Sequence, residues 1–327
     1  MAQQVHIPDC SNAQRDAHNS VHASVSAGFV HYDGPEYLPD AIGMPPRCPV
    51  VLVGGAAAPA NLSEACQFHL DAKAFVNAHL ILADEVVGDH VFAHKVSDAA
   101  RLIVAVMGSP ASIEATMLEA ARVLVNDLGT QYERHRLNTG GLWHSSVDTV
   151  NTLAGPITFS ALEWTAKNGA ERTNLLKALF SDHVVKTPGA HSAADSSNVI
   201  AAANVSYSLT TGVDWTQWIA LLTELRTKML SHVGAVVHSI ADTINLVTQP
   251  VPTVPLGTYD LPNEIITKWN AHVADGAIHA MTDAPSQTSI LSVASVADIL
   301  TSAADLYTKI RAHVVKAPVS RPIRLVV

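Results

Sequence analysis

Charge is scarce in this sequence. Asp, Glu, Lys and Arg make up 15 % of its 327 residues, and the acidic ones prevail, leaving a formal charge of −9. A phosphate backbone is bound through a basic surface, so direct nucleic-acid binding is not expected. Cysteine is nearly absent: Cys10, Cys48 and Cys66 are odd in number and lack C-x-x-C spacing. That argues against a disulfide framework and for maturation in a reducing compartment. Long apolar runs are missing too. The longest, "PVVLVGGAAAPA", is short and broken by glycine and proline, so it cannot span a bilayer. The start, "MAQQVHIPDC", has no basic segment followed by an apolar run and does not read as a signal peptide. G-x-S-x-G, G-x-x-x-x-G-K-[ST] and H-E-x-x-H are all absent. No nucleophile is paired with a base, and no enzymatic activity is expected. Aromatics are only 5 %, and Trp143, Trp164, Trp215, Trp218 and Trp269 read as core.

What is abundant is small apolar side chains and histidine. Hydrophobic residues reach 48 % and histidines number 17. Ala-rich sequence suits close helix packing. The histidines recur in a pattern: "HRLNTGGLWHSSVDTVN" from His135, "HVVKTPGAHSAADSSN" from His183, "HVGAVVHSIADTIN" from His232 and "HVADGAIHAMTDAPS" from His272. Each reads as a leading His, a loop, then His-x3-Asp-x2-Asn, with Ser286 replacing Asn in the last. A degenerate copy, "HKVSDAAR", has His94 and Asp98 but Arg101 at the Asn position; His79 is its candidate leading partner. The second histidines stand at 94, 144, 191, 238 and 279, in steps of 50, 47, 47 and 41 residues. Such regularity indicates a supersecondary unit duplicated about five times.

Helical sequence lies between the copies. In "DWTQWIALLTELRTKMLSH", Trp215, Trp218, Ile219, Leu222, Leu225 and Met229 form an i, i+3, i+4, i+7 stripe. Asp214 is placed to cap that helix. Each predicted helix ends in a leading histidine, His135, His183, His232, His272 or His313, where an imidazole can meet free carbonyls. After the loop, the i, i+4, i+7 spacing of His-x3-Asp-x2-Asn predicts a short second helix with all three side chains on one face. The fold expected is all-α, an array or bundle of about five helical hairpins with a period of about 47 residues. Residues 67–314 would form this repeat domain. Residues 1–66, with seven prolines at 8, 35, 39, 45, 46, 49 and 59, read as an extended or irregular arm. Residues 315–327, with Pro318 and Pro322, read as an extended tail. Apolar extended segments favour pairing with neighbouring chains, so a homo- or hetero-oligomer is expected.

Two readings of the histidines compete. The triplets His135/His144/Asp148, His183/His191/Asp195, His232/His238/Asp242 and His272/His279/Asp283 each offer two imidazoles and a carboxylate, a set able to hold zinc or iron. Alternatively each is a polar clasp, with Asp accepting from an imidazole and Asn pinning a loop. The loop between the histidines varies from five to eight residues, more slack than a tight metal site tolerates. The clasp is therefore favoured, no cofactor is expected, and metal analysis should find less than one ion per chain. His18 and His22, at i, i+4, read as solvated arm residues, and "NLS" at Asn61 carries no meaning without secretion.

The segments "LRTKMLSHVGAVVHSIADTIN" and "LLKALFSDHVVKTPGAHSAADSSN", with partial matches in "ITKWNAHVADGAIHAMTDAPS" and "YTKIRAHVV", resemble repeats of His-rich helical structural proteins of tailed bacteriophages. The resemblance spans roughly residues 70–314 and leaves out the arm; the first copy departs most. It implies a virion component, a capsid-associated, neck or tail subunit made in the host cytoplasm and assembling with other virion subunits through its terminal arms. The alternative is a soluble helical-repeat protein binding metal through its histidines.

Overall fold

A computed structural model describes residues 59–80, 98–138, 143–186, 191–235, 237–238, 240–278 and 282–314. Most of the described chain that is regular is helical: α1 (Leu62–Leu80), α2 (Pro110–Arg136), α3 (Ala166–Val184), α4 (Trp215–Val233), α5 (Asp260–Val273) and α6 (Val296–Val314). The only sheet among these residues is a ribbon of β1 (Tyr207–Ser208) against β2 (Gly212–Val213). No described helix is long and apolar enough to cross a membrane.

Local sequence explains where the helices begin. Asp214 caps α4, its carboxylate accepting from the Gln217 N–H. Thr165 and Asn168 form a reciprocal capping box on α3, so that helix starts at Ala166 and leaves Trp164 before it. Asn61 caps α1, its side chain accepting from the Glu64 N–H at 2.9 Å. The first helix therefore takes in residues 62–66, which the proline-rich composition assigns to the arm. Leu62, Ala65 and Cys66 are buried there.

The chain divides into two compact units. One combines 1–110 with 256–327 and the other is the continuous stretch 111–255. In the first, α1 packs against α5 and α6, burying Phe68, Ala72 and Val76 with Ile265, Trp269, Ile299 and Leu306. In the second, α2, α3 and α4 bury Leu124, Leu128, Tyr132, Leu176, Phe180, Trp218, Leu222 and Leu225. Each full burial of such a side chain is worth about 1.5–3 kcal/mol. The residue three before each leading histidine in this unit, Tyr132, Phe180 or Met229, is buried, one helical turn below it. Gly169 lets α3 approach the indoles: a Cβ there would stand 2.6 Å from the Trp218 ring and 2.7 Å from that of Trp164.

Among the described residues, the second helices predicted from the i, i+4, i+7 spacing do not form. Residues 143–151 are bends and turns, and the equivalent stretches hold only single 3-10 turns at Ala99–Arg101, Ser196–Asn198 and Ala284–Ser286. The cause is the aspartate. Asp148 Oδ1 accepts from the N–H groups of Val150 and Asn151, and Asp242 Oδ1 from those of Ile244 and Asn245. A side chain that captures these donors competes with the helical ladder. The arm as far as residue 58, the tail from 315, Cys10, Cys48, His18, His22, His94 and His279 lie outside the described residues.

Candidate metal centre

The site in residues 111–255 is built at the C-terminal ends of three helices. His135, His183 and His232 occupy the last turns of α2, α3 and α4. Past each helix the chain turns back, and the Asp N–H bonds the carbonyl of the residue after the histidine. The pairs are Asp148 to Arg136 at 2.9 Å, Asp195 to Val184 at 2.8 Å and Asp242 to Val233 at 2.8 Å. The same bond joins Asp98 to Leu80 and Asp283 to Val273, both at 2.7 Å. The degenerate first motif thus keeps the backbone geometry of the others.

The aspartates do not clasp the histidines of their own motif. His183 Nδ1 donates to Asp148 Oδ2 at 2.9 Å, His232 Nδ1 to Asp195 Oδ2 at 2.7 Å and His135 Nδ1 to Asp242 Oδ2 at 2.7 Å. Each carboxylate serves the leading histidine of another motif, and the third returns to the first. The three bonds close a ring. Asn151, Asn198 and Asn245 donate to the same Oδ2 atoms at 2.8, 2.6 and 2.9 Å, so the Asn of the motif aims the carboxylate rather than pinning a distant loop. Nor do the leading histidines cap their helices, because the Asp has taken Nδ1.

The second histidines complete the arrangement. The ring centroids of His135, His183 and His232 form a near-equilateral triangle with sides of 5.4, 5.5 and 5.2 Å. Those of His144, His191 and His238 form another, with sides of 4.9, 5.2 and 5.2 Å. Every ring of the first triangle packs on two of the second: His135 on His144 and His238, His183 on His144 and His191, His232 on His191 and His238. Those distances run from 4.5 to 5.1 Å. Two staggered triangles so connected are the six vertices of an octahedron. All six rings are buried, and none of their Nε2 atoms has a hydrogen-bond partner. One nitrogen from each of His135, His144, His191, His232 and His238 falls within 4.8 Å of all the others. An ion bound at about 2.1 Å sets opposite donors roughly 4.2 Å apart.

Electrostatics favour the neutral form of His144, His183, His191, His232 and His238. Burial, reinforced by the neighbouring rings, lowers His144 to about 2. Burial lowers His183, His191 and His238 to about 4 and takes His232 lower still. Burial acts to raise Asp148, but the bonds from His183, Lys186 and Asn151 outweigh it and hold the carboxyl far below its usual range. Asp242 is likewise held down against burial by His135, Asn245 and Ile244. Neutral imidazole is the ligating form, and a carboxylate on the far nitrogen is the usual outer support of a metal-bound histidine. The surroundings are aromatic: Trp143 stacks on His135, Tyr132 meets His183 edge-on and Phe180 meets His232 edge-on.

The His/His/Asp triplets inferred from the sequence are therefore not three separate sites. Six of those histidine rings, from three motifs, gather in one cluster: five share the 4.8 Å nitrogen set, and His183 joins them through ring contacts with His135, His144, His191 and His232. Asp148, Asp195 and Asp242 stand behind the leading three. In the other unit His272 donates to Asp98 at 2.9 Å and His313 to Asp283 at 2.7 Å. There Arg101 reaches Asp98 at 2.8 Å, filling the role that Asn has elsewhere. A set of asparagines escaped the sequence reading. Asn126, Asn174 and Asn263 each stand nine positions before a leading histidine. Each exchanges two bonds with a connecting segment, at Phe159, Val205 and Val293. Their constant offset from the histidine was the available signal. Comparison with known proteins finds no matching family model, curated protein or solved structure.

Proposed function

We propose that residues 111–255 fold around a single six-coordinate divalent metal ion, and that this protein is a structural component rather than an enzyme. The carrying observation is the octahedron of six buried imidazoles whose Nε2 atoms have no other partner. A buried polar atom left unpaired costs about 1–3 kcal/mol, and one ion would satisfy all six. Charge points the same way. Asp148, Asp195 and Asp242 supply three negative charges around the cluster, and Lys186 returns one positive charge to Asp148 at 2.5 Å. A divalent ion brings that total to zero. Six protein donors leave no position for substrate or solvent, which is the mark of a structural rather than a catalytic centre. Zinc strongly prefers four ligands, so six imidazoles favour Fe(II), Co(II) or Ni(II), ions that accept nitrogen donors in octahedral geometry.

The test is metal analysis of the whole chain beside the His144→Ala/His191→Ala/His238→Ala variant. The variant should hold one ion fewer, and Co(II) at this centre should give the weak absorption of six-coordination. Equal metal content in the two proteins sinks the reading. As for the wider role, the resemblance of the repeat pattern to that of tailed-phage structural proteins supports a reading as a virion subunit that works by assembly with other subunits. A native mass corresponding to a multimer, lost on deleting residues 1–60, is the expected result. A full-length chain that runs as a monomer would defeat it.

A further inference from the structure

The unit formed by 1–110 and 256–327 contains a second gathering of histidines, made of different residues. His79 lies in the last turn of α1, His272 in that of α5 and His313 in that of α6. Their ring centroids are 5.1, 5.3 and 5.8 Å apart. One ring nitrogen from each falls within 4.8 Å of the other two. His272 and His313 are buried, and His79 is half-buried.

The support behind two of these rings, His272 and His313, has the same construction as in the other unit. Asp98 Oδ2 takes the Nδ1–H of His272, and Asp283 Oδ2 takes that of His313. Each carboxylate is fixed in turn by its own N–H on a helix-end carbonyl. Asp98 is steadied further by Arg101, whose guanidinium also reaches Asp275 at 2.8 Å. With Nδ1 of His272 and of His313 bonded to a carboxylate, Nε2 is the nitrogen through which each ring would ligate. Trp269 packs edge-on against His313 at 5.2 Å, and Phe75 stacks on His79 at 6.4 Å. Imidazoles gathered from three helices, two of them backed by carboxylates, with aromatic rings beside them, suit an imidazole-preferring cation.

We infer that His79, His272 and His313 hold a second metal ion, of the first-row divalent class, which ties the two sequence-distant halves of this unit together. His79 comes from the early part of the chain and the other two from the late part, so the ion closes a long loop. Closing a long loop constrains the unfolded chain most. The inference rests on side chains distinct from those of the six-histidine centre, and it stands or falls separately.

The experiment loads the full chain with Co(II) alone, removes excess ion by gel filtration and measures bound metal per chain. Three variants accompany the wild type: His144→Ala/His191→Ala/His238→Ala, His79→Gln/His313→Gln, and the two sets combined. The expected content is two ions in the wild type, one in each partial variant and none in the combined one. An ion that survives in the first variant and disappears in the combined one establishes the second centre, whatever becomes of the first. If the first variant holds no metal while the wild type holds one, this inference is overturned and the six-histidine centre stands. If the His79→Gln/His313→Gln chain fails to fold, X-ray absorption of the ion in the first variant decides instead. Scattering from imidazole nitrogens supports the site, and an all-oxygen shell overturns it.

Discussion

Residues 111–255 and the unit made of 1–110 with 256–327 use the same handshake, an aspartate from one motif accepting Nδ1 from the leading histidine of another. They differ in how far it runs. In the continuous stretch three histidines and three aspartates close a ring, and a second triangle of histidines sits against the first. Among the described residues of the discontinuous unit two such bonds are seen, from His272 to Asp98 and from His313 to Asp283. A motif whose aspartate serves a neighbour cannot satisfy its own histidine. Three motifs are the number that closes here, and the copy count alone says nothing of that.

Stripping metal should have the largest effect and should separate the two units. An ion at a thousandfold excess over its Kd contributes about 4 kcal/mol to the folded state. Calorimetry with and without a strong chelator should therefore show a transition for 111–255 that falls by many degrees. No change in either transition would remove the metal from the account.

Asp242→Ala and Asp98→Ala come next, as a pair. Asp242 accepts from His135, Ile244 and both nitrogens of Asn245, so its loss should cost roughly 3 kcal/mol, the upper end for orphaned buried groups. Asp98 accepts from His272 and Arg101, and Arg101 keeps Asp275. Its loss should cost about 1–2 kcal/mol. Denaturant unfolding of the two variants measures the difference, and the reverse order would show that the closed ring adds nothing.

Acid should sharpen the contrast. In the folded chain His183, His191 and His238 take up protons only near 4 and His144 near 2, against an ordinary 6.5. Below 6.5 the unfolded chain binds more protons, so stability is full above that value and falls as the pH drops toward 4 and beyond. Asp148 and Asp242, held below their ordinary 3.8, add a further loss under that pH. Melting temperatures from pH 8 to 4 should decline most for 111–255; a flat profile through that window would contradict buried neutral imidazoles.

Asn174→Ala should have the smallest effect. Its amide makes two bonds to Val205, 3.0 and 2.8 Å long, at a half-buried position. Each is worth about 0.5–1.5 kcal/mol, so a loss near 1 kcal/mol is expected by chemical denaturation, with metal content unchanged.

Much of the helical framework was readable beforehand. The stripe through Trp218, Leu222, Leu225 and Met229 is buried, Asp214 caps its helix, and each leading histidine stands in a last turn. The short second helix is the reading that failed. The spacing of His238, Asp242 and Asn245 matches a helix face, and only the competition of the Asp carboxylate for the N–H groups of residues 244 and 245 breaks that helix. The loop of variable length counts against a metal only where His232, His238 and Asp242 serve one ion by themselves. In the fold the variation is harmless, since the rings that must meet come from three loops and not one.

Helix positions, caps and the presence of a polar motif at every helix end follow from the sequence alone, because they depend on residues within a turn or two of each other. Partnership is decided elsewhere. Asp242 meets His135, 107 positions away, and Asp98 meets His272, 174 positions away. Every motif carries the same chemical groups, so sequence cannot say which aspartate serves which histidine. Only the packing of helices in threes, driven by the burial of their apolar faces, selects the pairs and gathers six imidazole rings into one cluster.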